Sequence, residues 1–110
     1  MNAHKFVAEK GIEEAKRVLD KYKDCYMPSV FKYWSEKMSD FVLAPKYASC
    51  KVSELKQVVE SIYMVGDFGT LDRAKKYAAS DYTAPEVKHR LKKAIADYEL
   101  VKSYKGDEDD

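Results

Sequence analysis

Apolar side chains recur at helical spacing along most of the chain. Ile12, Ala15, Val18, Leu19 and Tyr22 step mostly by three and four, which places them on one helix face. Leu55, Val58, Val59, Ile62 and Val65 form a second stripe. Val87, Leu91, Ala94, Ile95, Tyr98 and Val101 form a third, which Tyr104 extends. Leu71, Ala74 and Tyr77 mark a shorter inward face. Polar residues punctuate these stripes. Asn2 is placed to cap a first helix running through Phe6 and Val7, and Ser53 to cap the helix that carries Leu55. Thr83-Ala-Pro-Glu86 reads as a capping box with proline in the first turn, opening the last helix. Glycine in a helix interior is unfavourable by about 1 kcal/mol, so Gly11, Gly66 or Gly69, and Gly106 read as stops. Glu13 and Arg17 make an i,i+4 pair in the favourable order, and residues 79–83 read as a loop.

A phrase recurs within this pattern. Val7, Gly11, Ile12, Ala15 and Lys16 correspond to Val65, Gly69, Leu71, Ala74 and Lys75, with one residue inserted. A looser partial copy closes the chain from Leu100 to Gly106. A second correspondence sets Leu55–Val65 over Leu91–Val101 at a constant offset. Fewer than three full copies are present, so the pattern reads as duplication or converged packing rather than a working solenoid. The prediction is a mainly α, small multi-helix domain of helix–Gly–helix units. Residues 1–105 form its single helical domain, and 106–110 are expected to be a disordered acidic tail.

Residues 23–52 escape the pattern. Pro28-Ser29 can start a helix, and Phe31, Trp34, Met38 and Phe41 then step by three, four and three. The run Phe41–Ala44 and the stretch Tyr47–Val52 can instead be extended, which leaves room for a short β-hairpin within 40–52.

Composition narrows the class of molecule. With 45% hydrophobic and 35% charged residues in 110, the chain can bury a modest core as one domain. No apolar run approaches the roughly 18 residues of a membrane span. The start of the chain lacks the apolar core of a secretory signal, so a cytoplasmic location is expected. Net charge is +1, but Asp107–Asp110 holds four of the 19 acids, so the rest of the chain is mildly basic.

Catalytic chemistry finds little support. His4 and His89 are the only histidines, and His89 sits among Lys88, Arg90, Lys92 and Lys93 on a wet helix side. Cys25 and Cys50 lack metal-ligand spacing and read as ordinary thiols. No glycine pattern makes a phosphate loop. The expectation is a protein that is not an enzyme, with no metal, cofactor or small-molecule substrate. Nucleic-acid binding is the alternative: Lys88, Arg90, Lys92 and Lys93 put positive charge on the last helix, and the units around Gly11 and Gly69 could form a helix-turn-helix. Acids interleave with these groups, however, and only three of the 20 basic residues are Arg, a composition suited to a solvated face.

Protein binding fits better. Tyr26, Phe31, Tyr33 and Trp34, with Met27 and Met38, form an aromatic-rich cluster of the kind that dominates interfaces. Core packing of Phe31, Trp34 and Met38 competes with that reading, but one helix face cannot bury all of these rings.

The phrase Ser53-Glu-Leu-Lys, Val59-Glu-Ser61, Gly69-Thr-Leu71 and Ala74-Lys75 resembles small uncharacterised accessory proteins of tailed phages and prophages. The Gly11-Ile-Glu-Glu-Ala-Lys16 phrase is similar in kind, whereas residues 24–51 share nothing with them. Thr70 stands where such proteins more often have a second glycine. The resemblance implies a protein made inside a bacterial host that binds a host factor or a copy of itself. It transfers no functional residue.

Overall fold

The computed structural model describes residues 2–105. Among them the chain forms five helices: α1 (Ala3–Lys10), α2 (Ile12–Tyr22), α3 (Val52–Asp67), α4 (Leu71–Ala79) and α5 (Pro85–Lys105). Between α2 and α3 lie three short strands, β1 (Tyr33–Ser35), β2 (Asp40–Val42) and β3 (Cys50–Lys51), with a 3₁₀ turn at Pro45–Tyr47. The expected mainly α class with a short hairpin is what the chain adopts. The Gly106 stop and the acidic tail at 106–110 lie outside the described residues.

The capping logic holds at Asn2, whose side chain accepts from the Lys5 N–H. One residue, Gly11, then serves as the end of α1 and the start of α2. Its N–H donates to the Val7 carbonyl, and its carbonyl accepts from Ala15. At φ 90° and ψ 160° it occupies a region essentially closed to side-chain-bearing residues. Gly69 separates α3 from α4 at φ +94°, and Thr70 caps α4 by accepting from the Arg73 N–H.

Other local expectations are corrected. Arg17 pairs with Glu14, one turn position closer than Glu13, through two bonds of 2.8 and 2.6 Å. Ser53 is not a cap, because β3 runs straight into α3, which starts at Val52 with Lys51 at its N-cap. Thr83 does not form the capping box: its hydroxyl donates to the Tyr77 carbonyl at 2.7 Å and ties α5 back to α4. On α4, Ala74 and Ala78 face inward while Tyr77 is exposed.

The largest correction concerns residues 28–41, which are not helical. β1 is the central strand, antiparallel to β2 and β3, so the sheet order is β2-β1-β3 and reaches back ahead of residue 40. Trp34 lies opposite Phe41 and Cys50 in the register, and all three are buried. The rings of Trp34 and Phe41 meet edge-on at 5.1 Å, and Tyr22 meets Phe41 at 4.9 Å. Lys10 pairs with Glu36 at 3.1 Å and the Lys21 ammonium donates to the Ser39 carbonyl, so the hairpin loop is held from α1 and from α2.

Two apolar clusters make the core. The larger gathers α1, α2, the sheet and the first half of α3, with Val101. The smaller holds Val65, Ala74, Ala78, Leu91, Ala94 and Ile95. The long helices α3 and α5 pack most extensively on each other and belong to both clusters.

Candidate functional site

The four aromatic residues singled out in the sequence are placed very differently. Trp34 is 2% exposed and is core, so it cannot offer a partner its ring; its Nε1 is buried with no hydrogen-bond partner among the described residues. Tyr33 and Phe31 are half-buried. Tyr26 stands in solvent at 80% exposure. Around them the structure adds residues that spacing had not marked. Val30, Leu43 and Tyr47 are exposed, as are Met27 and Met38. Phe31 and Phe41 line two neighbouring clefts. One, of about 370 Å³, also takes Met38, Leu43 and Tyr47; the other, of about 310 Å³, takes Tyr26, Cys25 and Lys21.

Backbone geometry sets this segment apart as well. Met27 (φ 55°) and Ser39 (φ 51°) are non-glycine residues in the left-handed region. Such residues carry roughly 1–2 kcal/mol of strain, held in place by surrounding bonds. The Met27 carbonyl accepts from Val30 and Phe31, and the Tyr22 hydroxyl donates to the Pro28 carbonyl. The strained turn therefore presents Tyr26 and Met27 outward from a fixed base.

The four basic residues of the nucleic-acid alternative do not share one stripe. Lys88 and Lys92 lie one turn apart on α5. Arg90 and Lys93, with His89, line the groove between α3 and α5. Lys93 also stands 3.6 Å from the Asp97 carboxylate.

Asp97 is the polar residue that sequence reading missed. It is 3% exposed and sits on the inward face of α5. His4 Nε2 donates to its Oδ1 at 2.9 Å, and the Ser61 hydroxyl donates to its Oδ2 at 2.6 Å. Gln57 donates to Ser61 at 3.2 Å and reaches the same carboxylate at 3.5 Å. Burial pushes the Asp97 carboxyl up, but the His4 and Ser61 hydrogen bonds, the Lys93 charge and the Gln57 bond outweigh it, and its pKa is lowered. His4 is therefore tied through its side chain from α1 to α5. Serine, histidine and aspartate here do not make a nucleophilic triad. In a triad the histidine stands between the other two and takes the serine proton. Here the carboxylate stands in the middle and accepts from both, so the serine proton points at the acid. Ser61 and Asp97 lie between the two apolar clusters and join α3 to α5.

The thiols are both free. Burial first, then Glu54 and Glu36, pushes Cys50 up to about 12, and burial with Asp40 raises Cys25. Neither is an activated nucleophile. Among the described residues no group of three His, Cys, Asp or Glu side chains stands together to hold a metal, and no helix is long and apolar enough to cross a membrane. The chain matches no protein-family model, no curated protein and no solved structure.

Proposed function

We propose that the chain is a non-enzymatic binding protein that docks a second protein on the apolar surface of residues 26–47. One observation carries the reading. Tyr26, Met27, Val30, Met38, Leu43 and Tyr47 are all substantially exposed within this one segment. Exposed apolar side chains concentrated in one segment of a small protein favour an interaction site. Two shallow clefts beside Phe31 offer pockets for a partner's side chains. Tyr26 and Phe31 remain in the proposed contact set, whereas Tyr33 is half-buried and Trp34 packs in the core against Phe41. The phage-like phrases at 11–16 and 53–76 suggest where such a protein works: inside a bacterial cell, on a host factor or on a second copy. The nucleic-acid alternative has weaker support, because Lys88, Arg90, Lys92 and Lys93 fan around α5 instead of forming one stripe.

The test is native capture from bacterial lysate, run beside sizing of the purified protein. Wild type is compared with a double variant, Met38→Asp with Leu43→Asp. Both side chains are 58% exposed, so the variant is expected to melt like wild type while losing its specific partner or its self-association. Capture or association unaffected by the double variant would overturn the reading.

A further inference from the structure

A further apolar concavity lies off this patch. It is a groove of about 810 Å³ between α2 and α3, closed at one end by the loop after α2. Its floor is apolar, formed by Leu19, Tyr22, Val52 and Val59. Its rim is basic: Lys16, Lys23, Lys32, Lys51 and Lys56 face it, against Asp20 and Glu60. Lys23 is engaged by Asp20 at 3.2 Å, and Lys16 stands 5.4 Å from the centre of the Tyr63 ring at one end. Lys32 and Lys51 mark the other end, where the Val52 N–H donates to the Lys32 carbonyl. Among the described residues Lys32, Lys51 and Lys56 form no ion pair.

We infer that this groove binds an acidic amphipathic helix of a partner protein. Shape argues for a helix. The α3 residues that line the groove run from Val52 to Tyr63, about 16 Å of helix, which matches roughly three turns of an occupant. A groove between two helices with an apolar floor is a standard seat for the apolar face of a third. Charge selects the sign. Three ammonium groups that have no ion pair among the described residues, beside an apolar floor, favour carboxylates flanking an apolar ridge and repel a basic helix. The inference goes beyond the apolar patch and uses none of its exposed apolar side chains, although Lys32 belongs to the same segment.

The experiment uses fluorescence anisotropy with the full chain and a labelled synthetic helix of about 14 residues. Leucine occupies its i, i+3, i+4 and i+7 positions and glutamate the rest; a second peptide carries lysine for glutamate, and a third scrambles the first. The acidic amphipathic peptide is expected to bind, more weakly as salt is raised, and the other two to fail. Lys32→Glu, Lys51→Glu and Lys56→Glu together should weaken it at least about tenfold. Lys32 and Lys56 are exposed and Lys51 is half-buried at the start of α3, so an unchanged circular-dichroism melt is needed to confirm that the triple variant is folded. Met38→Asp with Leu43→Asp should leave this binding untouched, which separates it from the patch. Equal binding of acidic and basic peptides, or no effect of the triple variant, would overturn the inference. So would displacement by a single-stranded oligonucleotide that binds more tightly, or binding that emerges only when residues 106–110 are removed.

Discussion

The helical body and the segment 26–47 expose large apolar side chains in different ways. In the body the exposed ones are Tyr63, Tyr77, Tyr82, Leu100 and Tyr104. All but one are tyrosines, whose hydroxyl is content in water. In the segment they are Tyr26, Met27, Val30, Met38, Leu43 and Tyr47, and four of those six have no polar tip that water can satisfy. The two left-handed non-glycine residues also lie in the segment. The body thus follows local preference almost everywhere, with glycine at the described positions that need positive φ. The segment departs from preference in both side chain and backbone. Departures of that kind concentrate where a protein does its work.

The strongest test of this contrast asks whether the segment is nonetheless part of the same cooperative unit. Trp34 is its anchor, packed on Phe41. Trp34→Ala should remove about 3–5 kcal/mol, and Leu91→Ala, in the other cluster, roughly 2–5 kcal/mol. Each is expected to lower a single circular-dichroism transition. If Trp34→Ala left the helical melt in place, the segment would be a separable appendage and not an integral surface of the domain.

A smaller effect is expected at the seam between the clusters. Asp97→Ala would leave the Ser61 hydroxyl, His4 and Gln57 without their common acceptor, a loss of about 1–3 kcal/mol. The carboxyl's pKa is lower folded than its ordinary 3.8. Its contribution is therefore fully present above that value and is lost as pH falls through the folded pKa. Denaturant midpoints of wild type and Asp97→Asn should differ at pH 7 and converge in acid, as pH falls below 3.8 and through the folded pKa. A gap that persisted into strong acid would mean that packing, not the ionised carboxylate, holds α3 to α5.

How much of this could be read in the sequence follows from period. The stripes of α2, α3 and α5 were legible because each buries one face, and burial fits the spacing. The repeated phrase was legible because Gly11 and Gly69 both need positive φ, and Ala15 and Ala74 both pack without exposure. The segment was not legible, for a specific reason. Strands of three residues joined by a four-residue loop set Trp34 opposite Phe41, and seven residues is also two helical turns. The same two rings satisfy both templates. Asp97 belongs to no chemical motif, yet it stands three after Ala94 and four before Val101, on the inward stripe. Ser61 stands likewise between Val58 and Val65, at the same offset as the matching helices. A polar pair at equivalent inward positions of two corresponding helices was the available signal. Partner-facing side chains left none, because Met38 and Leu43 look like core until a fold leaves them outside.

A still smaller effect bears on whether strain at the patch is maintained for presentation. Gly11→Ala sets the scale for the body: a methyl group there meets no neighbour within 4 Å, so the expected loss of about 1–3 kcal/mol is backbone strain alone. Met27 is the reverse case, a side chain already held where glycine would be at ease. Its left-handed φ is unfavourable by roughly 1–2 kcal/mol, and glycine would bring back about 0.5–1 kcal/mol through its freer unfolded chain. The side chain is 48% exposed, so little burial is lost with it. Met27→Gly should therefore raise stability slightly, by up to about 1 kcal/mol, as read from the denaturant midpoint. Weaker partner capture by the same variant would show that the left-handed turn is kept for the side chain it displays. A fall in stability would instead make Met27 a packing residue and remove it from the patch.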